Sequence, residues 1–516
     1  MIYENVISNS YRLNYSLIPD CEFNRKHEEK IQQKVIEKTR DLSHKDKEDI
    51  IQLANDLETR QNAHDDPEIL PKVTKDDIPQ SRTYASPVIS SNNTNSSYFY
   101  KTGTNGIVYH SMLFPCDALN QNELKVANLF TSTLTDIGLG EDSYEDIQKY
   151  QSSITGGISA SFVTLPNKDN DSYKLALKVS SKSLEKNDLL MQDLMLKTVN
   201  ESSFLEQNRI KELLEFISAD NEKSVVQNGH ILSMGNAASQ ISSIAATNDL
   251  TSGLQFIHNT NNLSRLMNDE NEFKLYLDTL HSIKNKLSSD PNYSFTASSL
   301  DLNDLKLNTI FKSESINFNN QSFVDTQDSS IGWITGSQVC FCAEAFPSVD
   351  SKHEDAPALT ILGTVLRNGY LHSAIREKGG AYGSGAAQDS NNKVFKFFSY
   401  RDPKCSETFE EFQKSRNWSL KEISAEQLEE GILGVISSID KPLSPYGEAM
   451  SDFMSELDNK TQDERLLFRS RVKECTLLDI VKVSEKYLFN DSKKSVIAGE
   501  NFIKELTDLG FAIKNI

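Results

Sequence analysis

Residues 107–114 read IVYHSMLF and run into Pro115; residues 338–346 read QVCFCAEAF and run into Pro347. Both are short runs dense in aliphatic and aromatic residues. Each ends at a proline, which cannot donate to a strand ladder, so each is predicted to be a buried strand. A polar loop follows both, and then a helix, predicted over 123–133 in one case and 357–366 in the other. With the two Phe-Pro pairs aligned, the helices fall into step. Residues 153–159 (SITGGIS) then correspond to 377–383 (EKGGAYG), each a glycine pair between helix and strand. Strands come next in both copies, through Tyr173, Leu175, Leu177 and Val179 in the first and across 394–400 in the second. Long helical stretches close each copy. Self-similarity kept in this order marks an internal duplication. The predicted fold class is therefore α+β: two homologous domains, residues 84–325 and 326–516, each an antiparallel sheet backed by helices.

Upstream of the duplication the pattern changes. Residues 11–18 (YRLNYSLI) alternate as a half-buried strand does, and Pro19-Asp20 ends them. No second strand follows, so residues 1–20 are expected to be the terminal strand of a preceding domain, in a piece of a longer polypeptide. Residues 21–83 are expected to be a linker. Its first part is a charged helical hairpin over 22–63, broken near 41–43, with Ser43 as N-cap and Asp46 in an acidic first turn. Pro67, Pro71 and Pro79 then carry an extended connector, and residues 90–97 (SSNNTNSS) read as a polar loop.

Composition excludes several classes. Of 516 residues, 37% are hydrophobic and 25% charged, the balance of a soluble globular protein. A net charge of −20 leaves no basic face for nucleic acid. No apolar run reaches the ~18 residues of a membrane span, and the N-terminus lacks the basic and apolar regions of a secretory signal. Six cysteines (Cys21, Cys116, Cys340, Cys342, Cys405, Cys475) show no C-x-x-C spacing, which suits free thiols in a reducing compartment. Cys340 and Cys342 lie two apart in a strand and share a face as small buried residues. The expected location is intracellular and soluble, in a bacterial cytoplasm or an organelle matrix.

The histidines restrict the chemistry. A zinc hydrolase needs two imidazoles three or four residues apart on one helical face, with a carboxylate base and a third ligand. None of the nine histidines has another within five residues, so both H-x-x-E-H and H-E-x-x-H are absent and no metal site is expected. There is no G-x-S-x-G elbow and no phosphate-binding P-loop either. The glycine-bearing segments 229–235 and 379–385 read as turns.

Residues 368–383, NGYLHSAIREKGGAYG, are the densest stretch of the chain. Leu371 and Ile375, four apart, share one face of a short helix that Gly379-Gly380 stops. Arg376 then sits in the last turn and Tyr382 just beyond the stop, both leaving one tightly turned piece of backbone. Two readings stay open. The helix dipole alone favours an arginine there, and the tyrosine could pack on the sheet. Alternatively, fixed guanidinium donors and a phenolic hydroxyl could hold a peptide carbonyl and stabilise negative charge developing on it.

This run resembles the R-x-K-G-G-A-Y-G signature in the C-terminal half of presequence proteases and falcilysin-like enzymes, of the pitrilysin/insulinase superfamily. Ser399-Tyr-Arg-Asp-Pro403 is similar to the SYRDP strand end of the same family. The resemblance runs over nearly the whole chain and implies the half-clam architecture of that family. Four α+β domains there pair into two halves, hinged by a helical hairpin, around a peptide chamber. It implies that zinc is the cofactor of the complete enzyme, held by an N-terminal catalytic half that is this chain's partner. It further implies that Arg376 and Tyr382 are catalytic contacts to the scissile carbonyl, with Gly379, Gly380 and Ala381 as substrate-binding positions. The implied substrates are unfolded, transit-peptide-like oligopeptides, and this chain alone is expected to be inactive. The alternatives are a structural, core-subunit-like member of the same superfamily and one that sequesters peptides without cleaving them.

Overall fold

The computed structural model describes residues 11, 13, 15–18, 20, 22–40, 42–62, 71–91, 95–166, 172–302, 305, 321, 322, 324, 326 and 330–516. It divides into two units, residues 1–72 and 73–516.

The first unit is built from the helices Phe23–Arg40 and His44–Asn62. Ser43 caps the second as expected: its hydroxyl accepts the Asp46 N–H (3.2 Å), and the Asp46 carboxylate accepts the Ser43 N–H (2.9 Å). Both helices keep apolar residues in the open, Ile36 and Ile51 being more than half exposed. The strand expected over 11–18 does not form among the described residues. Tyr11, Leu13 and residues 15–18 are exposed and lie in no strand. Alternation gives a strand its two faces, but only a neighbouring strand satisfies its backbone, and this unit offers none among the residues described.

The second unit holds two sheets. The first comprises β1 (Val88–Ser91), β2 (Ser96–Lys101), β3 (Ile107–Cys116), β4 (Ile158–Pro166), β5 (Ser172–Leu184), β6 (Tyr293–Ser298) and β7 (Gln321–Ser322). Its order is β1-β2-β6-β3-β5-β4, with β7 added on β5. The second comprises β8 (Ile331–Ile334), β9 (Phe341–Pro347), β10 (Gly383–Asp389), β11 (Val394–Tyr400), β12 (Lys493–Ala498) and β13 (Ala512–Asn515), in the order β10-β11-β9-β12-β8-β13. The strands that open the two copies, β3 and β9, are interior in their sheets, as their apolar runs require. The helices that follow them are Gln121–Leu134 and Ala356–Leu366.

Three details differ from expectation. The sheets are mixed, not purely antiparallel: β2 pairs parallel with β6, and β8 pairs parallel with both β12 and β13. These pairings join strands far apart in the chain, through helical crossovers that strand-by-strand alternation does not reveal. The polar segment 90–97 is largely a strand ladder, with Ser90 opposite Ser97 and Ser91 opposite Ser96; β1 is an exposed edge, where serine is tolerated. Gly229 forms no turn but lies inside the helix Gln207–Ser239, where its missing Cβ admits the ring of Phe341; an added Cβ would stand 2.6 Å from that ring.

The contact at Gly229 belongs to a reciprocal exchange. The long helix Gln207–Ser239, from the first copy, covers the second sheet. Ser233 donates to the Phe341 carbonyl (2.9 Å), and the Asn236 Oδ1 accepts from Trp333 Nε1 (3.0 Å) and Ser495 Oγ (2.8 Å). In return the helix Pro445–Leu457, from the second copy, covers the first sheet. Phe453 packs on Phe295 and Tyr98 with ring centroids 5.3 and 5.2 Å away, and Tyr446 stacks on Tyr109 at 4.3 Å. Each sheet therefore buries a face under a helix of the other copy. Cys116, Cys340, Cys342, Cys405 and Cys475 are buried and unbridged; Cys21 lies outside the described residues. Among the described residues no helix is long and apolar enough to cross a membrane.

Candidate functional site

The helix Ala356–Leu366 does not end where the motif begins. It continues through Arg367–Glu377 in a wider, π-helical register, so the short separate helix of the sequence reading is the last part of a longer one. The Lys378 N–H bonds to the Ser373 carbonyl five residues back (3.0 Å). Leu371 and Ile375 do share its buried face, at 0% and 2% exposure. π-Helical turns are rare, and many occur at functional sites.

The stop uses both glycines, for different reasons. Gly380 has φ +88°, a backbone that a side chain penalises. An added Cβ on Gly379 would stand 2.4 Å from the Ile375 carbonyl oxygen. Two hydrogen bonds close the turn, Gly380 N–H to Arg376 O (3.1 Å) and Ala381 N–H to Ile375 O (3.1 Å). They span four and six residues where the usual glycine stop spans three and five, so the π register carries through into the turn. The Tyr382 N–H is also taken, by the carbonyls of Tyr400 (3.0 Å) and Arg401 (3.4 Å). Residues 380–382 thus spend their amides on the turn itself. The donors left to face a ligand are the side chains of Arg376 and Tyr382.

Both side chains are exposed, Tyr382 by 67%, and both line one open cavity of about 690 Å³ with Gly380 and Ala381. Gly379 supports that wall from behind. Three further residues line the cavity and were not singled out in the sequence: His372, Glu377 and Arg401. His372 lies four residues before Arg376, one turn back on the same face, and its Nε2 is 2.8 Å from Arg376 Nη1. Its Nδ1 is 3.6 Å from Glu377 Oε1. Helical spacing alone could have pointed to His372. Arg401 sits in the Ser399–Pro403 segment, with a left-handed φ of +49°. Its guanidinium lies 5.3 Å from the Tyr400 ring centre, and Tyr382 meets the same ring edge-on at 5.5 Å. Tyr400 is therefore the common support of Tyr382 and Arg401.

The SYRDP segment is itself anchored from below. The backbones of Cys340 and Asp402 exchange hydrogen bonds (2.7 and 2.9 Å). The buried Asp402 carboxylate accepts from Thr408 Oγ1 (2.7 Å) and the Lys404 N–H (3.0 Å). Burial holds this carboxyl above its usual range, against the pull of those donors. Chemically, the site offers a rigid cationic and phenolic donor pair to an oxygen in the cavity. Among the described residues no group of three or more His, Cys, Asp or Glu gathers to hold a metal ion.

Comparison with known proteins places these features in one family. The model of the domain associated with peptidase family M16, subfamily C, matches residues 17–263, and that of the "PreP C-terminal domain" matches residues 336–500. Among sequence relatives, the mitochondrial presequence protease of Saccharomyces cerevisiae is 27% identical over 97% of this chain and 52% of its own length. That of Eremothecium gossypii is 26% identical over 95% of this chain and 51% of its own. The chain thus spans about half the length of the relatives it matches. Among solved structures, the peptidase M16 inactive domain from Pseudomonas fluorescens superposes with a TM-score of 0.58 at 14% identity, covering 80% of this chain and 98% of that one. A protease from Helicobacter pylori gives 0.55 at 12% identity, covering 81% and 100%. These structures share the fold of the chain.

Proposed function

For this chain, which belongs to the pitrilysin/insulinase superfamily and is presequence-protease-like, we propose a role as the C-terminal, substrate-binding half of a zinc-dependent oligopeptidase. Its relatives are named mitochondrial presequence proteases, and the substrates proposed here are unfolded, transit-peptide-like oligopeptides. The partner is an N-terminal catalytic half, in the same polypeptide or a separate subunit. The zinc of such an enzyme belongs to that half, and no step assigned here to this chain passes through it.

Arg376 and Tyr382 hold the oxygen of the scissile carbonyl. The guanidinium N–H groups and the phenolic hydroxyl donate to it, and both bonds strengthen as charge moves onto that oxygen. The rigid turn fixes the two donors before the peptide arrives, so little reorganisation accompanies the reaction. The observation that carries this reading is the turn itself: its amides are consumed internally, while two long donor side chains are left exposed on one cavity wall. A scaffold has no evident use for that exposure.

The test is kinetic. In the assembled two-half enzyme, Arg376→Ala and Tyr382→Phe should each lower kcat by about 10²–10³-fold, the range for removal of one oxyanion donor. Both side chains are exposed, so stability should move by no more than about 0.5 kcal/mol. Wild-type turnover in both variants would remove the assignment.

A further inference from the structure

A second cavity, of about 380 Å³, opens where five parts of the chain converge: the connector at residues 82–84, the end of the helix Ala425–Asp440, the helices Pro445–Leu457 and Gln462–Glu474, and the turns at 351–352 and 390. None of its residues lines the cavity of Arg376 and Tyr382. It is of a size that takes a small organic molecule.

Its wall is cationic in a strongly acidic chain. Arg82, Lys352, Lys441, Lys460 and Arg465 line it, against one carboxylate, Glu464. The carboxylates that pair with the arginines stand behind the wall. Asp452 holds Arg465 Nη2 (2.5 Å), Glu448 lies 3.4 Å from Arg82 Nη2, and neither acid lines the cavity. Lys352 pairs with Glu464 (2.8 Å), and Lys460 lies 3.5 Å from Asp458. Two donors are left over among the described residues. Lys441 is exposed and has no ion-pair partner, and the Arg465 Nε is buried without a hydrogen-bond acceptor. A buried donor without an acceptor costs about 1–3 kcal/mol, which a bound anion would recover. The rest of the lining has a different character: Ile439, Leu443 and Phe468 form an apolar patch beside the cations, with serine hydroxyls such as Ser438 and Ser451 between them.

We propose that this cavity binds a small organic anion, with an apolar or aromatic body against Leu443 and Phe468 and its anionic head toward Lys441 and Arg465. The apolar patch selects against inorganic anions, and the cations select against neutral analogues.

The test titrates phenyl phosphate into the 516-residue chain, followed by saturation-transfer NMR and calorimetry. Phenol and inorganic phosphate serve as the body without the head and the head without the body. Saturable binding of phenyl phosphate, tighter than either fragment, is expected. Lys441→Glu should weaken it about tenfold with an unchanged melting temperature, and Leu443→Glu should weaken it similarly. Lys504→Glu, the same charge change at an exposed position outside the cavity, should leave it unaltered. The proposal is overturned if phenyl phosphate binds no better than inorganic phosphate. It is equally overturned if Lys441→Glu has no effect, or if Lys504→Glu weakens binding as much.

Discussion

Replacing each glycine of the 379–380 pair with alanine should damage the turn through a different mechanism. At Gly380 the cost is conformational. An L-residue at φ +88° lies outside the small left-handed well, at about 1–2 kcal/mol. No clash adds to it, because the new Cβ meets only Pro403 Cγ, at an ordinary 3.5 Å. At Gly379 the cost is steric. Its Cβ would stand 2.4 Å from the Ile375 oxygen and 3.1 Å from that of Ala374, and a backbone carbonyl cannot swing aside as a side-chain tip can. The Ile375 oxygen also accepts the Ala381 N–H, so moving it weakens the bond that closes the turn. Overpacking of about 1–3 kcal/mol and a hydrogen bond of about 1 kcal/mol outweigh the roughly 1 kcal/mol that alanine gains over glycine in a helix. Native-state hydrogen exchange reads this locally. A loss of 1–2 kcal/mol at the turn should speed exchange of the Ala381 and Tyr382 amides by about 5–30-fold. Gly235 is the control. It lies inside a helix with nothing within 4 Å of the added Cβ, so Gly235→Ala should be neutral or stabilising. Unchanged exchange at Ala381 and Tyr382 in both turn variants would refute the reasoning about this stop.

The exchange of helices between the two copies can be tested from either side. Gly229→Ala drives a Cβ to 2.6–2.7 Å from three ring atoms of Phe341 and should destabilise by about 1–3 kcal/mol in urea unfolding, whereas a turn glycine would show no such clash. Phe453→Ala removes a fully buried ring from under the first sheet and should cost about 3–5 kcal/mol by the same measurement. Glu123 gives a pH prediction. Its burial raises the carboxyl, but hydrogen bonds from Lys286 Nζ (2.6 Å), Ser282 Oγ (2.7 Å) and the Asn120 N–H (2.7 Å) outweigh that and hold it below the usual glutamate range. A carboxyl lowered on folding stabilises the protein fully above its unfolded value, about 4.3, and that contribution is lost as pH falls through the lower folded value. The urea midpoint of Glu123→Gln should therefore fall less steeply than the wild type's below about pH 4.3, and parallel curves would remove Glu123 from the acid transition.

The features legible in the sequence were those that a single segment states by itself. The Phe-Pro strand ends, the helices behind them, the Ser43 cap and the glycine stop each depend on a few neighbouring residues. What remained hidden depends on partners distant in the chain. Gly229 has the same local look whether it turns or admits a ring, and only Phe341, more than a hundred residues later, decides between them. The parallel pairing of β8 with β12 and β13 is likewise set by where crossover helices return the chain. At the candidate site, Arg376 and Tyr382 stood out because rigid backbone and long donors fall within seven residues. Arg401 reaches the same cavity from another strand, and its place there follows from the pairing of β10 with β11. His372 was within reach, four residues before Arg376, but a histidine without a second histidine attracts attention only when a metal is sought.

Centrally, this chain is proposed to supply substrate-holding side chains to a catalytic half that it does not itself contain. The most direct test is a peptidase assay on an unfolded oligopeptide, run with the purified chain alone and after addition of the N-terminal half, with zinc content measured in parallel. The expected result is no cleavage and no stoichiometric zinc for the chain alone, and cleavage once the halves are combined. Cleavage by the isolated chain, or one equivalent of zinc held by its own residues, would contradict it.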